Sequence, residues 1–210
     1  VETIKGVYSF RGNSSYQPGY DRAFQAFFKR GIRPIFCMGF GNTLYGQSQT
    51  VPITSEEGLN GFANYCKAMM KKYRDYNPII EIWNEPNLSG FGSYTAEQYV
   101  ELVRRCREAV FEGWSEGRNT EGLEKPLIIG PVVSNSWARG NMFDRCLDAG
   151  LLDVVDGVSY HPYTDLSSSA DRRIPENIVS STVAMKEELA RRGRPDFPIV
   201  FTEWGWSTSL

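Results

Sequence analysis

The chain has 210 residues, 41% of them hydrophobic, enough to bury a sizeable core. Its formal net charge is −2, with acidic and basic residues mixed along the sequence, so it carries no electrostatic footprint for nucleic acid or for an anionic membrane surface. No apolar run approaches the length of a membrane span, and Val1-Glu2-Thr3 opens the chain without the basic start and apolar stretch of a signal peptide.

Strand-like and helix-like runs alternate from residue 21 onward. Asp21 to Arg30 places Ala23, Phe24, Phe27 and Phe28 on one helical side, and Gly31 ends it. Pro34 to Gly39 reads as an apolar strand. Thr54-Ser55-Glu56-Glu57 has the form of a capping box, and Leu59, Phe62, Ala63, Cys66, Met69, Met70 and Tyr73 follow at helical spacing. Ile79-Ile80-Glu81-Ile82 reads as a buried strand. A second capping box, Thr95-Ala96-Glu97-Gln98, leads Tyr99, Leu102, Val103, Cys106, Ala109 and Val110. Leu127 to Val133 is a strand, about Asn141 to Ala149 a short helix, and Val154 to Tyr160 a strand. Pro175 to Arg192 is a helix closed by Gly193, and Pro198-Ile199-Val200-Phe201 is the last strand. The four cysteines, Cys37, Cys66, Cys106 and Cys146, lie far apart without a C-x-x-C pair and are expected to be buried thiols, not disulfides or metal ligands.

Apolar strands alternating with helices indicate a parallel α/β sheet, either open and doubly wound or part of a (β/α)8 barrel. The polar groups favour the barrel. Asn42 and Tyr45, Glu85, Asn135 and Trp137, His161 and Tyr163, and Glu203 follow one strand after another. A barrel gathers its site in this way from many strand ends, whereas an open sheet concentrates ligands at one switch point.

Two carboxylates stand out. Trp83-Asn84-Glu85-Pro86-Asn87 follows the second strand and Thr202-Glu203-Trp204-Gly205-Trp206 the last. A pair of glutamates launched from strand ends and framed by tryptophans suits cleavage of a glycosidic bond, one carboxyl as acid/base and the other as nucleophile. Trp83, Trp204 and Trp206 offer flat apolar faces to pyranose rings, with Trp137 and Tyr45 as further candidates and Trp114 as a structural residue. His161 is the only histidine, so a zinc site built on two or three histidines is excluded. Gly113-Trp114-Ser115-Glu116-Gly117 fits the G-x-S-x-G pattern but lacks the preceding strand that a nucleophile elbow needs. Gly39-Phe40-Gly41 lacks the third glycine of a dinucleotide fingerprint. Asn13-Ser14-Ser15 and Asn87-Leu88-Ser89 fit the common glycosylation pattern.

Ile80 to Asn87 resembles the acid/base strand of clan A glycoside hydrolases, Phe201 to Gly205 their nucleophile strand, and Ser159-Tyr160-His161-Pro162-Tyr163 the His-x-Tyr segment of their sixth strand. Gly41-Asn42-Thr43-Leu44-Tyr45-Gly46 is similar to the loop after the third strand in family 39 members, and Val1 to Phe10 to the segment following the second. The resemblance covers essentially the whole chain and has the motifs in register. It implies a TIM barrel with Glu85 as acid/base and Glu203 as nucleophile of a retaining β-glycosidase. It further implies that Asn84 binds a sugar 2-hydroxyl, Tyr163 hydrogen-bonds Glu203, and His161 lines the cleft. The implied partner is an oligo- or polysaccharide or another β-glycoside, with no cofactor and no metal. A family 5-like endo-β-glucanase or mannanase, or a catalytically silent carbohydrate-binding relative, stays open beside it, as do secreted and cytoplasmic locations.

A barrel of this kind takes about 250 residues. Residues 1–210 are therefore expected to be a partial catalytic domain holding the third to seventh of eight strands. The strand-2 arginine and the strand-8 tryptophan of such sites would lie outside them. By itself such a piece is expected to form an open sheet with unpaired edges, to associate, and to be inactive.

Overall fold

The computed structural model describes residues 2–14, 17–48, 50–134, 141–163 and 176–205. Two antiparallel hairpins come first, β1 (Glu2–Ile4) with β2 (Val7–Tyr8) and β3 (Arg11–Ser14) with β4 (Gln17–Gly19). Neither is expected from the sequence, because pieces this short carry no hydrophobic period. The chain then alternates as α1 (Tyr20–Phe28), β5 (Ile35–Met38), α2 (Glu56–Tyr73), β6 (Ile79–Ile82), α3 (Ala96–Ser115), β7 (Leu127–Ser134), α4 (Met142–Asp148), β8 (Gly157–His161), α5 (Asn177–Arg191) and β9 (Ile199–Phe201). The expected start of the last helix at Pro175 lies outside the described residues.

The last five strands form one parallel sheet in the order β5-β6-β7-β8-β9. Each strand lies beside its predecessor, with no reversal of the order, which is what separates barrel winding from a doubly wound sheet. Crossovers of one hand that all step the same way put the helices on one face and leave the other to form a lumen. The sheet is open, as expected, and its edge strands leave Ile35 and Phe201 exposed.

Register decides which residues meet the helices. Ile80, Ile82, Ile128, Val158 and Tyr160 are buried against them. The Tyr99 hydroxyl of α3 donates to the Ile82 carbonyl at 2.8 Å, and the Tyr160 and Thr182 hydroxyls pair at 2.8 Å. The alternate residues face the lumen: Cys37, Glu81, Ile129 and Gly157 stand side by side in neighbouring strands.

Helices α2 and α3 pack their apolar stripes together through Phe62, Cys66, Met69 and Tyr73 on one and Leu102, Val103, Cys106 and Val110 on the other. Gly113 permits the approach, since a Cβ there would lie 2.3 Å from the Lys67 carbonyl oxygen. The box at the start of α3 is present, with Thr95 and Gln98 each accepting from the other's backbone N–H. At the start of α2 the expectation is corrected by one residue. Ser55 is the N-cap and accepts from Gly58 N, so Glu57 does not stand at the position that would reach back. Trp114 is buried, and the Ser115 hydroxyl donates to the Phe111 carbonyl of its own helix, as a helix-end serine does and a nucleophile does not.

Cys66, Cys106 and Cys146 are buried free thiols, as expected. Cys37 differs because β5 is an edge strand: the residue is exposed on the lumen side, and its thiol donates to the Trp83 carbonyl at 3.1 Å. Desolvation of the sulfur, with the carboxylates of Glu81 and Glu203 nearby, pushes the thiol up to about 12, which leaves it unreactive at neutral pH.

Candidate active site

The segment that leaves β6 is held in an unusual backbone. Trp83, Glu85 and the neighbouring Val132 of β7 all have positive φ, at 69°, 42° and 51°. For non-glycine residues each such conformation costs on the order of 1–3 kcal/mol and persists only where the surroundings impose it. The surroundings are explicit. Trp83 N donates to the Met38 carbonyl at 2.8 Å, and Glu85 N to the Val132 carbonyl at 3.2 Å. The pairing of β7 with β8 shifts register between Pro131 and Val133, a bulge that aims the Val132 carbonyl at this turn. Asn87 clamps both backbone groups of Ser134, accepting from its N–H at 3.0 Å and donating to its carbonyl at 3.2 Å. A glycan on this sequon asparagine would require that clamp to open.

Trp83 itself is not a sugar platform. It is fully buried, its indole N–H donates to the Phe91 carbonyl at 2.6 Å, and Phe40, Phe62 and Tyr94 surround the ring. Its expected role is corrected accordingly: it anchors the turn. Trp204 is 61% exposed and keeps an open face.

Glu85, 9% exposed, and Glu203 from the turn after β9 meet over the strand ends. His161, the last residue of β8 and fully buried, stands between them. Its Nδ1 lies 2.9 Å from Glu85 Oε1 and 3.5 Å from Glu203 Oε2. One polar atom from each of the three side chains falls within 4.8 Å of the others. The Tyr163 hydroxyl donates to Glu203 Oε2 at 3.1 Å. Asn84 is half-buried beside Glu85 and makes no hydrogen bond among the described residues. The structure thus brings Glu85, Glu203, His161 and Tyr163 into one group, with His161 Nδ1 close to both carboxyls.

The other candidates fall elsewhere. Tyr45 stands apart: its hydroxyl donates to Glu2 Oε1 at 2.8 Å, and its ring lies on Gly61, where a Cβ would come within 2.5 Å. With Glu2, Tyr20, Phe40, Asn42 and Tyr65 it lines a cavity of about 360 Å³ beside α2. Asn135, Trp137 and Trp206 lie outside the described residues.

Two residues of the lumen escape the sequence reading. Glu81, 4% exposed, accepts a 2.8 Å hydrogen bond from the Thr202 hydroxyl. The signal for Glu81 was present: in Ile80-Glu81-Ile82 the alternation of a strand turns the carboxyl away from the helices. Burial raises the Glu81 carboxyl above the ordinary carboxylate range. The hydroxyls of Ser159 and Thr202 and the charge of His161 oppose the rise without cancelling it, and Glu203 adds to it. Below the ordinary range both folded and unfolded chains hold this proton, and stability is unaffected. As pH rises through the raised folded value, the folded state must ionise a buried group and loses stability. Glu81→Gln is therefore expected to melt increasingly above the parent protein as pH rises above the ordinary carboxylate range. A gap independent of pH would show that folding does not shift the Glu81 carboxyl.

No protein-family profile matches the chain. A β-xylosidase of Caldicellulosiruptor saccharolyticus is 30% identical over 140 residues, which are 62% of this chain and 26% of that protein. Among solved structures, a family 39 glycoside hydrolase from Bacteroides cellulosilyticus WH2 superposes with a TM-score of 0.68 at 22% identity, covering 99% of this chain and 42% of that one. A family 39 β-xylosidase from Caulobacter crescentus superposes with a TM-score of 0.64 at 21% identity, covering 90% and 41%. The chain spans about a quarter of the curated relative and about two fifths of the solved ones. Its fold is that of a section of the TIM-barrel glycoside hydrolases, as the motifs imply.

Proposed function

We propose that these residues carry the catalytic pair of a retaining β-glycosidase and form part of its catalytic domain. One observation carries the reading: Glu85 and Glu203 leave different strands of a barrel-type sheet, yet reach within 4.8 Å of each other around His161. Retaining enzymes hold their two carboxyls about 5–5.5 Å apart, whereas inverting ones leave about 6.5–9.5 Å for a water. Glu203 attacks the anomeric carbon and forms a glycosyl ester while Glu85 gives its proton to the departing oxygen. Glu85 then takes a proton from water, the water attacks the same carbon, and the ester bond breaks, restoring both carboxyls. Tyr163 holds Glu203 through its hydroxyl, and Asn84, next to Glu85 in the chain, is the residue proposed to bind a sugar hydroxyl beside the reacting carbon. The two β-xylosidases among the relatives make β-xylosides the first substrates to try.

The test is hydrolysis of 4-nitrophenyl β-xyloside, β-glucoside and β-mannoside by the full-length protein, with proton NMR of the first sugar released. The expected product is the β-anomer. First release of the α-anomer would mean inversion and end the two-step scheme. Because Glu85, His161 and Glu203 also present one possible ligand atom each to a cation, the assay is repeated after EDTA treatment. Unchanged turnover is expected; a loss restored only by added divalent metal would transfer the trio to a metal site.

A further inference from the structure

Glu81 takes no part in the chemistry proposed above, yet it lies in the lumen between the two strands that supply it. It sits on β6, four residues before Glu85, and its partner Thr202 immediately precedes Glu203 after β9. Strands β7 and β8 separate β6 from β9, so the Glu81–Thr202 hydrogen bond crosses the lumen and does not run along the sheet. No backbone ladder couples those two strand ends directly. We propose that Glu81 is a positioning residue, a strut that acts through Thr202 to fix the spacing between Glu85 and Glu203. The inference rests on the assignment of those two glutamates as the catalytic pair.

The strut is a hydrogen bond from the Thr202 hydroxyl to a buried carboxyl whose protonated form burial favours. One of its oxygens accepts from Thr202, and the hydroxyl of Ser159, fully buried on β8, lies close enough to the same carboxyl to act on it without completing a regular hydrogen bond. Glutamine matches this pattern in shape, acceptor and donor. Alanine keeps none of it. Misplacement of a reacting group by about 1 Å costs about 10²-fold in rate, so loss of the strut is expected to fall on kcat more than on KM.

The experiment compares Glu81→Gln, Glu81→Ala, Thr202→Val and the Glu81→Ala/Thr202→Val pair in the full-length protein, on 4-nitrophenyl β-xyloside across pH. Glu81→Ala and Thr202→Val are expected to lose about 10²-fold in kcat with KM little changed, and the double variant to lose no more than either alone. Glu81→Gln is expected to recover at least about tenfold over Glu81→Ala, with the pH–rate profile unmoved. If glutamine loses as much as alanine, or shifts the profile, Glu81 works by its charge and the strut is wrong. An unchanged kcat in Thr202→Val overturns it as well, and serves where Glu81→Ala fails to fold. A parent protein inactive on every glycoside in the panel would count against the glycosidase reading instead. The strut is then decided by melting temperatures in the same cycle: effects that do not add support the direct tie, and additive effects remove it.

Discussion

Replacing Glu203 by glutamine is expected to lower kcat/KM by about 10⁴-fold or more, the largest single loss the site allows, while thermal unfolding stays close to the parent protein. The exposed carboxylate makes one hydrogen bond to Tyr163 and one longer contact to His161, so little of the fold depends on it. Catalysis depends on it entirely in the scheme above, because no other carboxylate among the described residues meets Glu85 across His161. A 10⁴-fold loss corresponds to about 5–6 kcal/mol of transition-state stabilisation, a size seen when a nucleophile is removed from a site whose other parts remain. Azide makes the test sharper. In Glu203→Ala it enters from the vacated side and is expected to give the α-glycosyl azide. Retention in that product would mean that another group had formed the covalent intermediate.

Glu85→Ala is expected to lose about 10²–10⁴-fold on glycosides with poor leaving groups and far less on dinitrophenyl ones, which depart without a proton. Azide is expected to restore turnover here too, but with the β-glycosyl azide as product, because it attacks an intermediate already formed on Glu203. Equal losses on both classes of substrate would show that Glu85 does not act as the acid. The backbone around it adds a condition. Glu85 sits at φ 42° in a turn fixed by Trp83, Val132 and Asn87, so the alanine variant should keep the turn. The side chain lost makes one hydrogen bond, to His161, and anchors no strand.

How much of this was legible beforehand follows from what each feature depends on. The sheet order and the helices were legible because apolar runs of strand length alternate with well-capped amphipathic segments, and Glu85, His161 and Glu203 all fall at strand ends. Trp83 was misread because adjacency to a catalytic candidate says nothing of direction. Its left-handed backbone turns the ring under α2, where Phe62 lies, while Glu85 turns into the lumen. Tyr45 was assigned by its place in a loop, but its partner Glu2 comes from a hairpin with no readable pattern. The bridging place of His161 depends on where β6, β8 and β9 converge, a distance that no local sequence encodes. Glu81 was within reach, since a lone carboxyl in an apolar strand must face something other than the helices. Thr202 was not, because its role exists only once β9 faces β6 across the lumen.

The most direct test of the account is covalent trapping. A 2-deoxy-2-fluoro-β-xyloside with a dinitrophenyl leaving group slows both steps but the second more, so the glycosyl ester accumulates. After digestion, mass spectrometry of the labelled protein is expected to place the sugar on the peptide containing Glu203, at that residue. A label on Glu85, on Glu81 or on any other residue would contradict the assignment at its centre.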